Sequence, residues 1–225
     1  MNLKISYFDN NLSFNNESIQ VIEIENKKMF YRLISDLVLL KNGEKLNELY
    51  FFDDKNEELN IGSRVEVYVD FFQIDLNSKK NINALNKKIS SNLTDIEKDE
   101  LLNSFKKLYK SFNRILNEFE LPIVINDNLI VEDILKLFKI SFKTSNDLLD
   151  NLLLLIEIEK SLNLNEILFF INLKQYLNKE ELEELYKYAI YNSIKIVLID
   201  SQSYGATINY EKKLIIDNDL EEYVL

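Results

Sequence analysis

Residues 166–200 read EILFFINLKQYLNKEELEELYKYAIYNSIKIVLID. The stretch opens on a five-residue apolar run, 167–171 (ILFFI), and closes on a second, 194–199 (IKIVLI). Runs this short that are apolar at successive positions read as strands covered on both faces, the pattern of a parallel sheet. Between them Asn178 and Glu181 stand as N-cap and N3 partner of a helix that runs to about Tyr191. Strand, helix and strand in that order make a right-handed crossover, with the two strands as parallel neighbours and Asp200 at the end of the second.

The rest of the chain is read outward from that unit. Residues 3–9 (LKISYFD), 12–14 (LSF) and 18–24 (IQVIEIE) are short, β-branched or aromatic runs separated by Asn-rich turns, and read as strands. Met29, Phe30, Leu33, Ile34, Leu37 and Leu40 fall at helical spacing ahead of Gly43. Residues 49–52 (LYFF) and 65–69 (VEVYV) read as two more strands, which makes the N-terminal third α/β.

After Asp75 the period becomes helical. Ile82, Leu85, Ile89 and Leu93 predict one helix, and Thr94 with Glu97 forms a capping box that opens the next. That helix sets Leu101, Phe105, Leu108, Phe112, Ile115 and Phe119 at alternating steps of four and three, a heptad seam. Pro122 closes the segment, a short helix follows over about 129–138, and 140–143 (ISFK) is expected as a strand. Residues 147–162 predict a helix buried on several sides, and 213–216 (KLII) a final edge strand. The expected architecture is an α/β head domain with an NTPase-like mixed or parallel sheet, built from 1–75 and 146–225, with an inserted helical leg at 76–145.

Composition narrows the chemistry. The 225 residues contain no Cys and no His, so disulfides, thiol nucleophiles, Cys-based metal centres and every Ser–His triad are excluded. No 18-residue apolar stretch occurs, and the first residues lack the hydrophobic segment of a signal peptide, so a cytoplasmic protein with no membrane partner is expected. Three Gly and one Pro leave little room for long linkers.

Charge is unevenly distributed. The chain carries −11 in total, yet residues 79–114 hold nine Lys or Arg against four Asp or Glu, a net +5. Lys106, Lys107, Lys110 and Arg114 lie opposite the heptad seam, and Lys79, Lys80, Lys87 and Lys88 belong to the preceding helix. An ordinary solvated helix face is one reading of this island. The functional reading is a surface for the phosphate backbone, which needs positive charge and no base-reading groups. Arginine, the usual specific base contact, is limited to Arg32, Arg64 and Arg114, so charge and shape would be read rather than sequence.

Two further sites stand beside their plainer readings. A phosphate cradle needs a glycine-rich turn between a strand and a helix, and 24–30 (IENKKMF) has no glycine and follows Glu23. Asp200 occupies a position resembling that of a magnesium-binding carboxylate, although a lone strand-end Asp is more often a turn or helix-cap residue. Glu118, Glu120, Asp127, Glu132 and Asp133 cluster near the end of the leg. Such carboxylates suit a hard cation such as calcium, or form a plain acidic surface.

Residues 21–37 (VIEIENKKMFYRLISDL), 67–78 (VYVDFFQIDLNS) and 166–200 together resemble the Csn-two family, the small adaptation proteins of type II-A CRISPR systems. The resemblance spans nearly the whole chain through diffuse hydrophobic patterns. It implies an NTPase-like head without NTPase activity and a helical leg. It also implies a homotetrameric ring around double-stranded DNA, favouring free ends, with a lysine-lined hole and calcium held by carboxylates. The partners it implies are the CRISPR integrase proteins and the RNA-guided effector nuclease of spacer acquisition. On that resemblance the DNA-binding candidates are Lys79, Lys80, Lys87, Lys88, Lys106, Lys107, Lys110 and Arg114, and the calcium candidates Glu118, Glu120 and Asp127. Three readings are carried forward: a non-enzymatic DNA binder, a degenerate NTPase or metal nuclease, and a helix-pairing structural module.

Overall fold

A computed structural model of the chain describes residues 1–14, 17–44, 48–59, 61, 64–124 and 128–225. In chain order its elements are β1 (Asn2–Ile5), β2 (Leu12–Ser13), β3 (Ile19–Ile24), α1 (Lys27–Lys41), β4 (Leu49–Phe52), β5 (Val65–Tyr68), α2 (Lys79–Asn92), α3 (Asp95–Leu116) and α4 (Val131–Leu137). There follow α5 (Leu148–Leu162), β6 (Ile167–Ile171), α6 (Lys179–Asn192), β7 (Lys195–Asp200), β8 (Glu211–Ile216) and β9 (Glu222–Val224). The chain divides into two compact units, one formed by Met1–Ile74 with Thr144–Leu225, the other by Asp75–Lys143. Among the described residues no helix is long and apolar enough to cross a membrane.

The first unit is a mixed α/β structure. Its six-stranded sheet has the order β5-β6-β7-β3-β8-β9, parallel throughout except for the antiparallel β8–β9 pair. A separate antiparallel sheet has the order β2-β1-β4. The crossover from β6 through α6 to β7 pairs Phe169 with Val197 and Ile171 with Ile199, as the two apolar runs require. The Asn178–Glu181 capping box is present at the start of α6.

Side chains alternate across each strand, so one set faces each side of the sheet. Ile22, Ile24, Phe169, Val197, Ile199, Leu214 and Ile216 pack with Leu33 and Leu37 of α1 and with Leu3 and Phe51 of the small sheet. The alternate set, which includes Val21, Leu168, Phe170, Ile196 and Leu198, is also fully buried.

Two expectations are corrected. Residues 213–216 do not form an edge: β8 begins at Glu211 and lies between β3 and β9, and the three-residue β9 is the edge. A strand as short as Glu-Tyr-Val carries too little periodicity to be seen in sequence. Residues 140–143 are not a strand. The side chain of Asn77 takes the place of a neighbouring strand there, its Oδ1 accepting from the Phe142 N–H at 2.7 Å and its Nδ2 donating to the Phe142 carbonyl at 3.2 Å.

The second unit is helical. The inward residues of α2 are Asn81, Asn86 and Ser90, α3 buries none of its residues, and α4 supplies Val131, Ile134 and Leu135. It is a thin apolar core for helices that carry so many apolar residues.

Candidate nucleic-acid interface

The basic island sits on the two long helices of the second unit. Ser78 caps α2 by accepting the Asn81 N–H at 3.3 Å. Glu97 accepts the Thr94 N–H and hydroxyl, each at 2.8 Å, while Thr94 Oγ1 accepts the Glu97 N–H at 3.3 Å. These bonds hold the Glu97 carboxyl below the ordinary range. On α2 the side chains of Lys79, Lys80, Lys87 and Lys88 are exposed, and on α3 those of Lys106, Lys107, Lys110 and Arg114. Arg114 lies in the last turn of α3, where the helix dipole favours a cation.

The opposite side of α3 carries the seam. Leu101 and Phe105 are half-buried, whereas Leu108 is 62% exposed, Phe112 53% and Ile115 47%. Phe119 falls beyond the end of α3 and is exposed as well. The helix therefore presents ammonium groups along one side and uncovered apolar groups along the other.

Of the calcium candidates, Glu118 and Glu120 are exposed and Asp127 lies outside the described residues. The neighbouring acids already have partners. A hydrogen bond with Ser90 holds the Glu132 carboxyl below its usual range. Asp133 pairs with Lys136 at 2.8 Å, which lowers it too. Among the described residues no three metal-ligating side chains are gathered at one point.

At the carboxyl end of the sheet, where α/β folds place their ligands, the chain meets its own polar groups. Asn26 Oδ1 accepts the N–H groups of Lys28 and Met29 at 3.2 and 3.1 Å, closing the α1 N-terminus where a phosphate cradle would stand. Glu23 and Asp200 are register partners on the adjacent strands β3 and β7, and both are fully buried. Glu23 Oε1 pairs with Lys213 at 2.8 Å and Lys174 at 3.2 Å, and Lys174 reaches Glu211 Oε1 at 2.8 Å. Burial pushes the Glu23 carboxyl up, but the hydrogen bond from Lys213 and the charge of Lys174 outweigh it and hold it below its ordinary value.

Sequence reasoning named Glu23 and Asp200 but missed Lys174, Glu211 and Lys213. The local signal is a charged residue at the head of an apolar run, as Lys213 stands ahead of Leu-Ile-Ile.

A mixed-sheet α/β unit with a helical unit inserted between its strands, bearing a basic face, defines the class. The family described as CRISPR-associated protein (Cas_Csn2) matches residues 42–220, and the chain belongs to that family, with the CRISPR-associated role in defence that it carries. No curated protein matches the chain. Among solved structures it is similar to a nucleotide-free ATP-binding cassette from an ABC transporter, at 13% identity and a TM-score of 0.48 over 100% of this chain and 92% of that one. It is also similar to a protein described as an ABC transporter ATP-binding protein from Pyrococcus furiosus, at 10% identity and a TM-score of 0.38 over 95% and 97% of the two chains. Similarity at these levels carries no chemistry across.

Proposed function

We propose that the protein is a non-catalytic, sequence-independent binder of double-stranded DNA ends in CRISPR spacer acquisition, assembled as a homotetrameric ring and stabilised by calcium. The observation that carries this reading is the two-sidedness of α3. Among the described residues Leu108, Phe112 and Ile115 of its apolar side stand exposed, so another copy is the natural cover. Pairing along that side leaves Lys106, Lys107, Lys110 and Arg114 in solvent, where several copies sum their charge on one duplex. The integrase proteins and the effector nuclease of the same system are the partners this role implies.

Non-catalysis is supported by the lack of His and Cys and by the Asn26 closure of the α1 N-terminus. Calcium is proposed on the acidic stretch, with Glu118, Glu120 and Asp127 as ligands. Since the described residues gather no three ligands within one chain, a bound ion would draw further oxygens from a second copy or from water.

An electrophoretic shift with linear and closed-circular duplex, with and without calcium, tests the reading. Linear DNA should shift, closed circles should not, and chelation should weaken the shift. Changing Lys106, Lys107 and Lys110 together to Glu should abolish it while circular dichroism stays unchanged. Turnover of ATP or DNA with magnesium would favour an enzyme, and absence of any shift would leave a helix-pairing module.

A further inference from the structure

The segment 201–210 joins β7 to β8 and runs across the buried charge cluster of the first unit. Several of its hydrogen bonds go to that cluster, while Ser201 and Asn209 tie its two ends to Asn172 and Glu183. Ser203 Oγ and the Tyr204 N–H donate to Glu23 Oε2 at 3.1 and 3.2 Å, and the Ile208 N–H donates to Glu211 Oε2 at 3.0 Å. Lys213 Nζ donates to the Gly205 carbonyl at 3.0 Å. The segment is a strap pinned by internal ions.

Within the cluster the charges balance only if one carboxyl is neutral. Lys174 and Lys213 offer two ammonium groups, while Glu23, Glu211 and Asp200 offer three carboxyls. Glu23 and Glu211 take the ammonium contacts. Neither side-chain oxygen of Asp200 has a hydrogen-bond partner, and Asp200 stands in register beside Glu23, both fully buried. Two adjacent buried carboxyls cannot both ionise cheaply, and the one poorer in donors keeps the proton. The hydroxyl of Tyr204, on the strap itself, is likewise buried without a partner.

We propose that Asp200 is a proton-operated latch on the strap 201–210: the strap is held while Asp200 carries its proton and loosens when that proton leaves. The groups that face the latch come from every element packed around it: Glu23 of β3, Lys174 of the turn after β6, Tyr186 of α6, Tyr204 of the strap, and Glu211 and Lys213 of β8. Ionised Asp200 competes with Glu23 and Glu211 for two ammonium groups, and the carboxylate oxygens that hold the strap are the ones disturbed. Burial, working against the charge and backbone N–H of Lys174 and with the charges of Glu23 and Glu211, raises the Asp200 carboxyl to about 7, where this competition falls near neutrality. The sign follows from linkage. A carboxyl raised above its unfolded value of about 3.9 favours the closed state at low pH, and that advantage is lost as pH climbs from about 4 to about 7.

Amide exchange of the full chain tests this, read on peptides covering 201–210 at about pH 5.5 and about pH 8 and corrected for intrinsic exchange. Protection of the strap should fall by more than about tenfold between the two. Asp200→Asn, which keeps the shape and removes the charge, should give equal protection at both. Unchanged protection in the parent chain, or a pH dependence that survives in Asp200→Asn, overturns the latch. If that variant does not fold, the carbon-13 titration of the Asp200 carboxyl in the parent chain decides. A midpoint near neutrality supports the proposal, and one below about 5 overturns it.

Discussion

Glu23 is the residue on which the charge cluster turns. It receives Lys213, Lys174, Ser203 and the Tyr204 amide while fully buried. Glu23→Gln leaves two buried ammonium groups facing one ionised carboxyl and should destabilise the fold by roughly 3–5 kcal/mol, measurable by urea unfolding. Its folded value lies below the ordinary one, so its contribution is present above about pH 4.3 and is lost as pH falls further. The variant should therefore flatten the acid limb of the stability profile. The same method sets a purely apolar comparison: Phe169→Ala, in the middle of β6 and fully buried, should cost about 3–5 kcal/mol at any pH. Of these two roles only the core position of Phe169 is legible in sequence, because it belongs to a contiguous apolar run, whereas Glu23 stands out there only as a charge at a strand end. The partners of Glu23 come from the turn after β6 and from β8, and nothing local in the chain announces contacts of such long separation.

At the scale of elements, local signals were read well and shared surfaces poorly. The capping boxes of α3 and α6 and the crossover around α6 follow from neighbours three or four positions apart, and all are present. The inward face of α2 is different. Its buried residues are Asn81, Asn86 and Ser90, while Ile82, Leu85, Ile89 and Leu93 are only half-buried, so hydrophobic periodicity located the helix but not the side it buries. On α3 the seam was visible and its cover was not, since a heptad does not say which helix fills it. Leu108→Glu together with Phe112→Glu places charges in that seam. Sedimentation should show the assembly falling to smaller species, with helical content retained because both sites are exposed within one chain. Retention of the parent assembly would move the interface elsewhere. Polar residues such as Asn77, which ties down Phe142, also defeat a pattern reading, because they hold backbone without any strand.

For the whole molecule the dominant quantity is charge arrangement. The chain is acidic at −11, and a basic island of +5 occupies 79–114. DNA affinity in such a protein should fall steeply with salt, with log K against log salt losing roughly 0.9 per phosphate neutralised. Replacing Lys106, Lys107 and Lys110 by Gln should lower that slope by about three such increments, as read by fluorescence titration at several salt concentrations. An affinity indifferent to salt would contradict the polyanion reading.

The strand order β5-β6-β7-β3-β8-β9 also bears on biosynthesis. β3 ends at Ile24, yet its two neighbours, β7 and β8, begin only at Lys195 and Glu211. At typical elongation speeds of about 5–20 residues per second, an apolar strand with two open edges waits on the order of 10–30 s for them. The helical insertion is translated within that interval and has its caps and its short helix at hand. Nascent chains of this protein should therefore depend on chaperones until β7 and β8 have been made, and chains truncated ahead of Lys195 should be insoluble rather than partly active.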